Sequence, residues 1–152
     1  MTTDIRAEAA SYYDLNPNAP NDVPFYKGKI PSPAAPVLEL GCGTGRVLLP
    51  LTESCGCIHG IDSSAAMPAI CQKKLQQAGI PSNKAQVEVG DITNFDLGRR
   101  VDLIIAPYRV FQNLETATQV DGLFRCVWKH LSLAGTCILN VFKPNRDPEA
   151  LR

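Results

Sequence analysis

Val37-Leu-Glu-Leu-Gly-Cys-Gly-Thr-Gly-Arg46 decides the fold. The apolar run Val37 to Leu40 suits a buried strand. Gly41, Gly43 and Gly45 then alternate, and Val47-Leu-Leu-Pro-Leu-Thr52 lies in a helix expected over about Thr44 to Ser54. A strand, a glycine turn and a helix together place a ligand over a helix N-terminus. Glycines permit positive φ and let the backbone approach a bound group with no Cβ in the way. Glu39 lies inside the apolar run, where a carboxylate is costly without partners. It is therefore a candidate for orienting the turn or the ligand.

Outward from this unit the chain alternates strands and helices. Cys57-Ile-His-Gly-Ile61 reads as the second strand, with Asp62 at its C-terminal end. Ala65 to Ala78 reads as a helix, with Pro68 near its start and Gly79 after its end. Ala85-Gln-Val-Glu-Val89 is the third strand, and Gly90-Asp91-Ile92 follows it directly. Val101-Asp-Leu-Ile-Ile105 is the fourth, followed by the loop Ala106-Pro-Tyr-Arg-Val-Phe-Gln-Asn113. Thr116 to Leu131 carries a helical stripe of Val120, Leu123, Phe124, Val127, Trp128 and Leu131, which puts Trp128 in the core. Thr136 to Phe142 is the fifth strand, ending in Lys143-Pro144. The pattern predicts a doubly wound α/β fold: a Rossmann-like parallel sheet of about five strands with helices on both faces.

Glu39-Leu-Gly-Cys-Gly-Thr-Gly45 resembles the first motif of the class I S-adenosylmethionine-dependent methyltransferases. The resemblance runs from about residue 8 to 146 and implies a methyl transfer that uses S-adenosyl-L-methionine. By it, the backbone of Gly41, Cys42 and Gly43 shapes the methionine end and Glu39 supports the turn. Asp62, with Ser63 beside it, holds the ribose. Asp91 meets the adenine amino group and Ile92 packs on its ring. The loop with Pro107, Tyr108 and Arg109 lies against the reactive end, where Tyr108, Arg109 and Gln112 are substrate candidates. Ala106-Pro107-Tyr108 weakly resembles the Asn-Pro-Pro-Tyr loop of amino-group methyltransferases, without the Asn or Asp ahead of the proline, so no catalytic base is named. Leu131-Ser-Leu-Ala-Gly135 resembles the family's turn before strand five, with Ala134 in place of a glycine.

Alternatives stand beside several of these roles. Asp62-Ser-Ser64 is also good helix-capping chemistry. Asp91 also suits a turn aspartate bonded to its own loop. Arg46 either meets a ligand carboxylate or faces solvent. A nicotinamide-dependent oxidoreductase domain is the rival nucleotide reading. It wants G-x-G-x-x-G, and Arg46 occupies the last position. The other rival is a binding module without catalysis of its own.

Residues 1–36 read as a helical arm and residues 37–152 as the cofactor-binding core. Residues 4–14 suit a short helix. Asn21 or Asp22 caps a second one through Val23 to Gly28, and Ile30-Pro-Ser-Pro-Ala-Ala-Pro36 is a stiff linker. Similar lead segments in the family fold over the cofactor, which makes Tyr13 and Tyr26 candidates to touch cofactor or substrate. The family's sheet has seven strands in the order 3-2-1-4-5-7-6; strands six and seven have no counterpart here. Either this is a fragment, or another chain, such as a second copy in a homodimer, covers the fifth strand's edge.

Composition narrows the function classes. Formal net charge is zero and no basic block occurs, which disfavours nucleic acid and leaves a small-molecule or protein nucleophile as the methyl acceptor. No apolar run approaches membrane-span length and the start is no signal peptide, so a cytoplasmic location is expected. The six cysteines form no C-x-x-C pair and only two histidines are present, so no metal site is expected. Cys126 and Cys137 read as small core residues.

Overall fold

The computed structural model describes residues 9, 10 and 12–143. Its centre is one parallel sheet of five strands: β1 (Pro36–Leu40), β2 (Cys57–Asp62), β3 (Ala85–Val89), β4 (Val101–Ala106) and β5 (Leu131–Leu139). They lie side by side in the order β3-β2-β1-β4-β5. Four helices are α1 (Val23–Lys27), α2 (Leu48–Leu51), α3 (Ala66–Gln77) and α4 (Ala117–His130). Ala9, Ala10, Tyr12 and Tyr13 are also helical, and the rest of the helix expected over 4–14 falls partly outside the described residues.

The period-2 pleat explains why helices cover both faces. Val37, Ile58, Leu103 and Ile105 join Leu48, Leu51, Cys71 and Leu75 in one buried cluster. Their strand neighbours Leu38, Leu40, Ile61 and Ile104 join Leu123 and Val127 of α4 in another. Each fully buried Leu or Ile contributes about 1.5–3 kcal/mol by leaving water. The sheet is thus fixed from both sides, and its strand ends hold the loops in place.

The helix after the glycine turn is shorter than the expected Thr44–Ser54. Thr44 to Val47 follow the turn, and α2 regularises only over Leu48–Leu51. Pro50 brings no N–H to the ladder, so the next turn tightens and Thr52 donates to the Leu49 carbonyl. The fifth strand also differs from Thr136–Phe142. It starts at Leu131, and its register slips between Val101↔Leu131 and Leu103↔Thr136. Ser132 to Gly135, expected as a turn, form the bulge that this slip requires. The strand ends at Leu139; Pro144 lies outside the described residues.

Three side chains correct the expected pattern. Trp128 is 82% exposed and is not core. Its helix buries Leu123, Cys126, Val127 and His130, an arc that leaves Phe124 and Trp128 outside. Tyr26 is 1% exposed, packed with Val37, Leu48 and Leu51, and has no face on the strand-end cavity. Asp22 sits at the α1 N-cap position without capping, because Arg46 binds both its oxygens. Cys126 is buried as expected; Cys137 is only partly so.

Candidate functional site

A cavity of about 590 Å³ opens at the carboxyl ends of β1, β2 and β4. Open α/β sheets bind ligands there. Glu39, Gly41, Cys42 and Gly43 line it from β1 and the glycine turn. Asp62 and Ser63 line it from the end of β2, Asp91 and Ile92 from the end of β3, and Pro107, Tyr108 and Arg109 from the end of β4. Tyr13 reaches it from the N-terminal segment. Among the residues singled out from the sequence for a site role, Tyr26 and Gln112 do not reach it.

The turn's shape follows from backbone sterics. Gly41 and Gly43 have φ of 67° and 56°. A Cβ on Gly41 would run into the Val110 side chain, so that position requires glycine twice over. A Cβ on Gly43 would meet no atom of the described residues within 4 Å. With Gly43 lining the cavity, that open space leaves its backbone accessible to a ligand.

Asp62 ties this turn to β2. Its Oδ2 accepts from the Gly43 N–H at 3.0 Å and its Oδ1 from the Ser64 N–H at 2.9 Å. The Ile61 carbonyl takes the Gly41 and Cys42 N–H groups at 2.7 and 3.1 Å. Asp62 does not cap α3, whose N-cap position belongs to Ala65. A carboxylate has about four lone-pair positions, so two remain for a ligand.

Asp91 is exposed, and its Oδ1 accepts from Thr93 N–H and Oγ1 at 2.8 and 2.7 Å. The turn-aspartate reading therefore holds for one oxygen, while Oδ2 takes no hydrogen bond among the described residues. Glu39 is 2% exposed and its Oε2 has no hydrogen-bond partner among the described residues. Burial holds its carboxyl well above the usual range, the nearby Arg46 opposes this, and Asp22 and Asp62 add to it. Ser64 Oγ is a second buried polar atom on the wall without a partner among the described residues. Burial and the neighbouring Glu39 also push the Cys42 thiol far up, so its sulfur is an inert wall and not a nucleophile.

Arg46 fits neither expectation. Its guanidinium donates to Asp22 Oδ1 and Oδ2 at 2.5 and 3.1 Å and to the Pro20 carbonyl at 2.9 Å. It lines the cavity as one half of an ion pair. Several lining residues escaped the sequence reading: Val47, Ser64, Met67, Thr93, Val110, Asn113, Leu114 and Gln119. Most lie within a few residues of a motif already recognised, so extending each motif by one turn finds Ser64, Met67, Thr93 and Val110. Gln119 had no such signal. It closes a capping box with Thr116 at the start of α4, which brings it to the cavity.

No helix among the described residues is long and apolar enough to cross a membrane. Among them, no group of three or more His, Cys, Asp or Glu could hold a metal ion.

Comparison with known proteins agrees with this geometry. A family profile described as "Methyltransferase domain" matches residues 37–135. A dTDP-3-amino-3,6-dideoxy-alpha-D-glucopyranose N,N-dimethyltransferase of Streptomyces fradiae is 27% identical over 106 residues, which is 70% of this chain and 39% of that protein. The putative methyltransferase YqeM of Bacillus subtilis is 27% identical over 135 residues, covering 88% of this chain and 53% of its own length. The structure of the CcbJ methyltransferase from Streptomyces caelestis superposes with a TM-score of 0.73 at 29% identity, over 86% of this chain and 54% of that one. The chain spans about half or less of the length of these relatives.

Proposed function

The chain belongs to the class I S-adenosylmethionine-dependent methyltransferases, and from that premise we propose that it binds S-adenosyl-L-methionine in the strand-end cavity and transfers its methyl group. The observation that carries this reading is one cavity lined by three carboxylates and a glycine turn. Glu39, Asp62 and Asp91 suit a ligand with three separate donor groups: an ammonium, a ribose diol and an adenine amino group. The pyrophosphate of a dinucleotide would face those same carboxylates, while the nearby Arg46 is already committed to Asp22. This favours the adenosyl ligand over NAD or NADP.

The buried orphan Oε2 of Glu39 and the open space over Gly43 fit such a ligand. When bound, S-adenosylmethionine supplies a methyl group already activated on a sulfonium sulfur. The chain's share is then alignment and exclusion of water. Asp62 holds the ribose hydroxyls with lone pairs left free by Gly43 and Ser64. Asp91 Oδ2 accepts from the adenine amino group, with Ile92 and Met67 as apolar walls. Glu39 receives the ammonium and the Gly43 backbone the methionine end. Pro107, Tyr108 and Arg109 border the reacting end, where no side chain is assigned as base.

The acceptor proposed is a small-molecule or protein nucleophile. The Streptomyces fradiae relative is named for methylating an amine on a small molecule, and the zero net charge does not favour nucleic acid. The arm of residues 1–36 is proposed as a cover for the core of residues 37–152, with Tyr13 at the cavity. The outer edge of β5 has no strand partner among the described residues, and a second copy of this chain is proposed to pair there. Six free cysteines suit a reducing cytoplasm.

Incubating the chain with methyl-labelled S-adenosylmethionine and a panel of amines and hydroxyl compounds tests the activity. Labelled product supports a transferase. Cofactor binding with no transfer to any acceptor favours the binding-module alternative.

A further inference from the structure

Beside the large cavity lies a recess of about 140 Å³. Its walls are Tyr13, Asn16, Ala19 and Pro20 of the N-terminal segment, with Asp14, Arg46 and Tyr108 closing it. Tyr13, Arg46 and Tyr108 border both spaces, so whatever fills the recess abuts the reacting end of the cofactor cavity.

The recess is held from two sides. Asp14 accepts from Thr44 Oγ1 at 2.6 Å and from Lys74 Nζ at 2.5 Å, and the Pro20 carbonyl accepts from Arg46. These bonds pin both ends of the segment to the glycine turn and α3. On the opposite side Tyr108 has φ of 61°, the only positive φ at a non-glycine among the described residues. Such a conformation persists only where the surroundings impose it, and it marks functional loops more often than others. Arg109 stacks over the Tyr108 and Phe142 rings at 5.4 and 4.9 Å. Gln112 then clamps the Phe142 backbone, accepting from its N–H at 2.7 Å and donating to its carbonyl at 3.2 Å.

The chemistry of the walls narrows the occupant. Both charges at the recess are already matched, Asp14 by Lys74 and Arg46 by Asp22, which leaves no free charge among the described residues to recruit an ion. What remains is two phenol rings, Pro20, Ala19 and the Asn16 side chain. An apolar cavity of about 150 Å³ accommodates a benzene ring. The geometry points to this recess as the acceptor subsite, taking a neutral, hydroxylated six-membered ring whose nucleophile faces the cofactor cavity. Tyr13 and Tyr108 supply ring faces and hydroxyls, and Asn16 an amide. This rests on the adenosylmethionine reading above.

The test is a titration of isotope-labelled chain, saturated with S-adenosylhomocysteine, with phenol and separately with cyclohexanol, followed by amide chemical shifts. The expected result is saturable shifts at Asn16, Ala19 and Tyr108 with at least one ring. Ala19 is exposed and borders only the recess, so Ala19→Phe fills it from the rim. That variant should weaken ring binding by about tenfold or more, as losing one ring's burial requires. Its affinity for S-adenosylhomocysteine should stay within about twofold, since Ala19 does not line the cofactor cavity. The variant's own amide spectrum shows that it folds. S-adenosylhomocysteine binding without saturable ring shifts, or ring binding untouched by Ala19→Phe, overturns the subsite alone. Absence of S-adenosylhomocysteine binding overturns the cofactor reading on which it stands.

Discussion

Asp62 Oδ2 and the Gly43 N–H meet at 3.0 Å, joining the end of β2 to the middle of the glycine turn. The same carboxylate lines the cavity. One side chain thus shapes the turn and presents lone pairs to a ligand. Asp62→Ala should lower S-adenosylhomocysteine affinity by about 1.5–3 kcal/mol, the range for hydrogen bonds to a charged group. Calorimetry measures this. An unchanged affinity removes Asp62 from the site.

Gly41 and Gly43 share positive φ but differ in what surrounds them. Gly41→Ala combines backbone strain with a collision at Val110 and should destabilise the fold by about 2–4 kcal/mol. Gly43→Ala has only the conformational strain and should cost about 1–2 kcal/mol. Its methyl group enters the ligand space, so its larger effect should fall on affinity. Denaturant unfolding and calorimetry on both variants separate the two roles. Equal loss of stability would contradict the open cradle at Gly43.

Glu39 gives the fold a pH dependence of definite sign. Its folded-state pKa is raised, so the native state holds a proton that the unfolded chain releases near pH 4.5. Stability contributed by that proton is present at low pH and falls as pH climbs toward the folded-state value. Glu39→Gln removes this slope and should stabilise the free chain by about 1–3 kcal/mol at pH 8, with the two proteins converging below pH 4.5. The variant should also bind S-adenosylhomocysteine more weakly, because an amide lacks the charge that an ammonium would meet. Unfolding curves from pH 4 to 8 test the first claim; a wild type less stable than the variant at pH 4 would refute it.

Trp128 lies outside the helix's buried arc. Trp128→Ser should therefore change stability by no more than about 0.5 kcal/mol. A core tryptophan would cost about 3–5 kcal/mol when truncated. Thermal unfolding of the variant distinguishes these.

That tryptophan shows where sequence reasoning reaches its limit. The period of α4 was legible, but the width of its buried arc depends on how the helix sits on β4 and β5, which is a tertiary matter. The strands and the turn were legible because short apolar runs and alternating glycines have few other uses, and the strand order followed from the family resemblance. Asp62, Asp91 and Glu39 could be placed at the cavity because each stands at a strand end or within a strand. The partner of Arg46 could not: Asp22 lies 24 residues earlier and is brought to it only by the arm's return across the turn. Tyr26 shared its segment with Tyr13, and only packing separates the buried ring from the one at the cavity. The bulge at Ser132 to Gly135 read as a turn because Leu131 to Gly135 resembles the family's turn before strand five.

The most direct test of the account is calorimetric titration of the purified chain with S-adenosylhomocysteine, with NAD and NADP titrated separately. Saturable binding of S-adenosylhomocysteine and none of either dinucleotide is the predicted result. Binding of a dinucleotide alone, or no binding of S-adenosylhomocysteine by a folded chain, would contradict it.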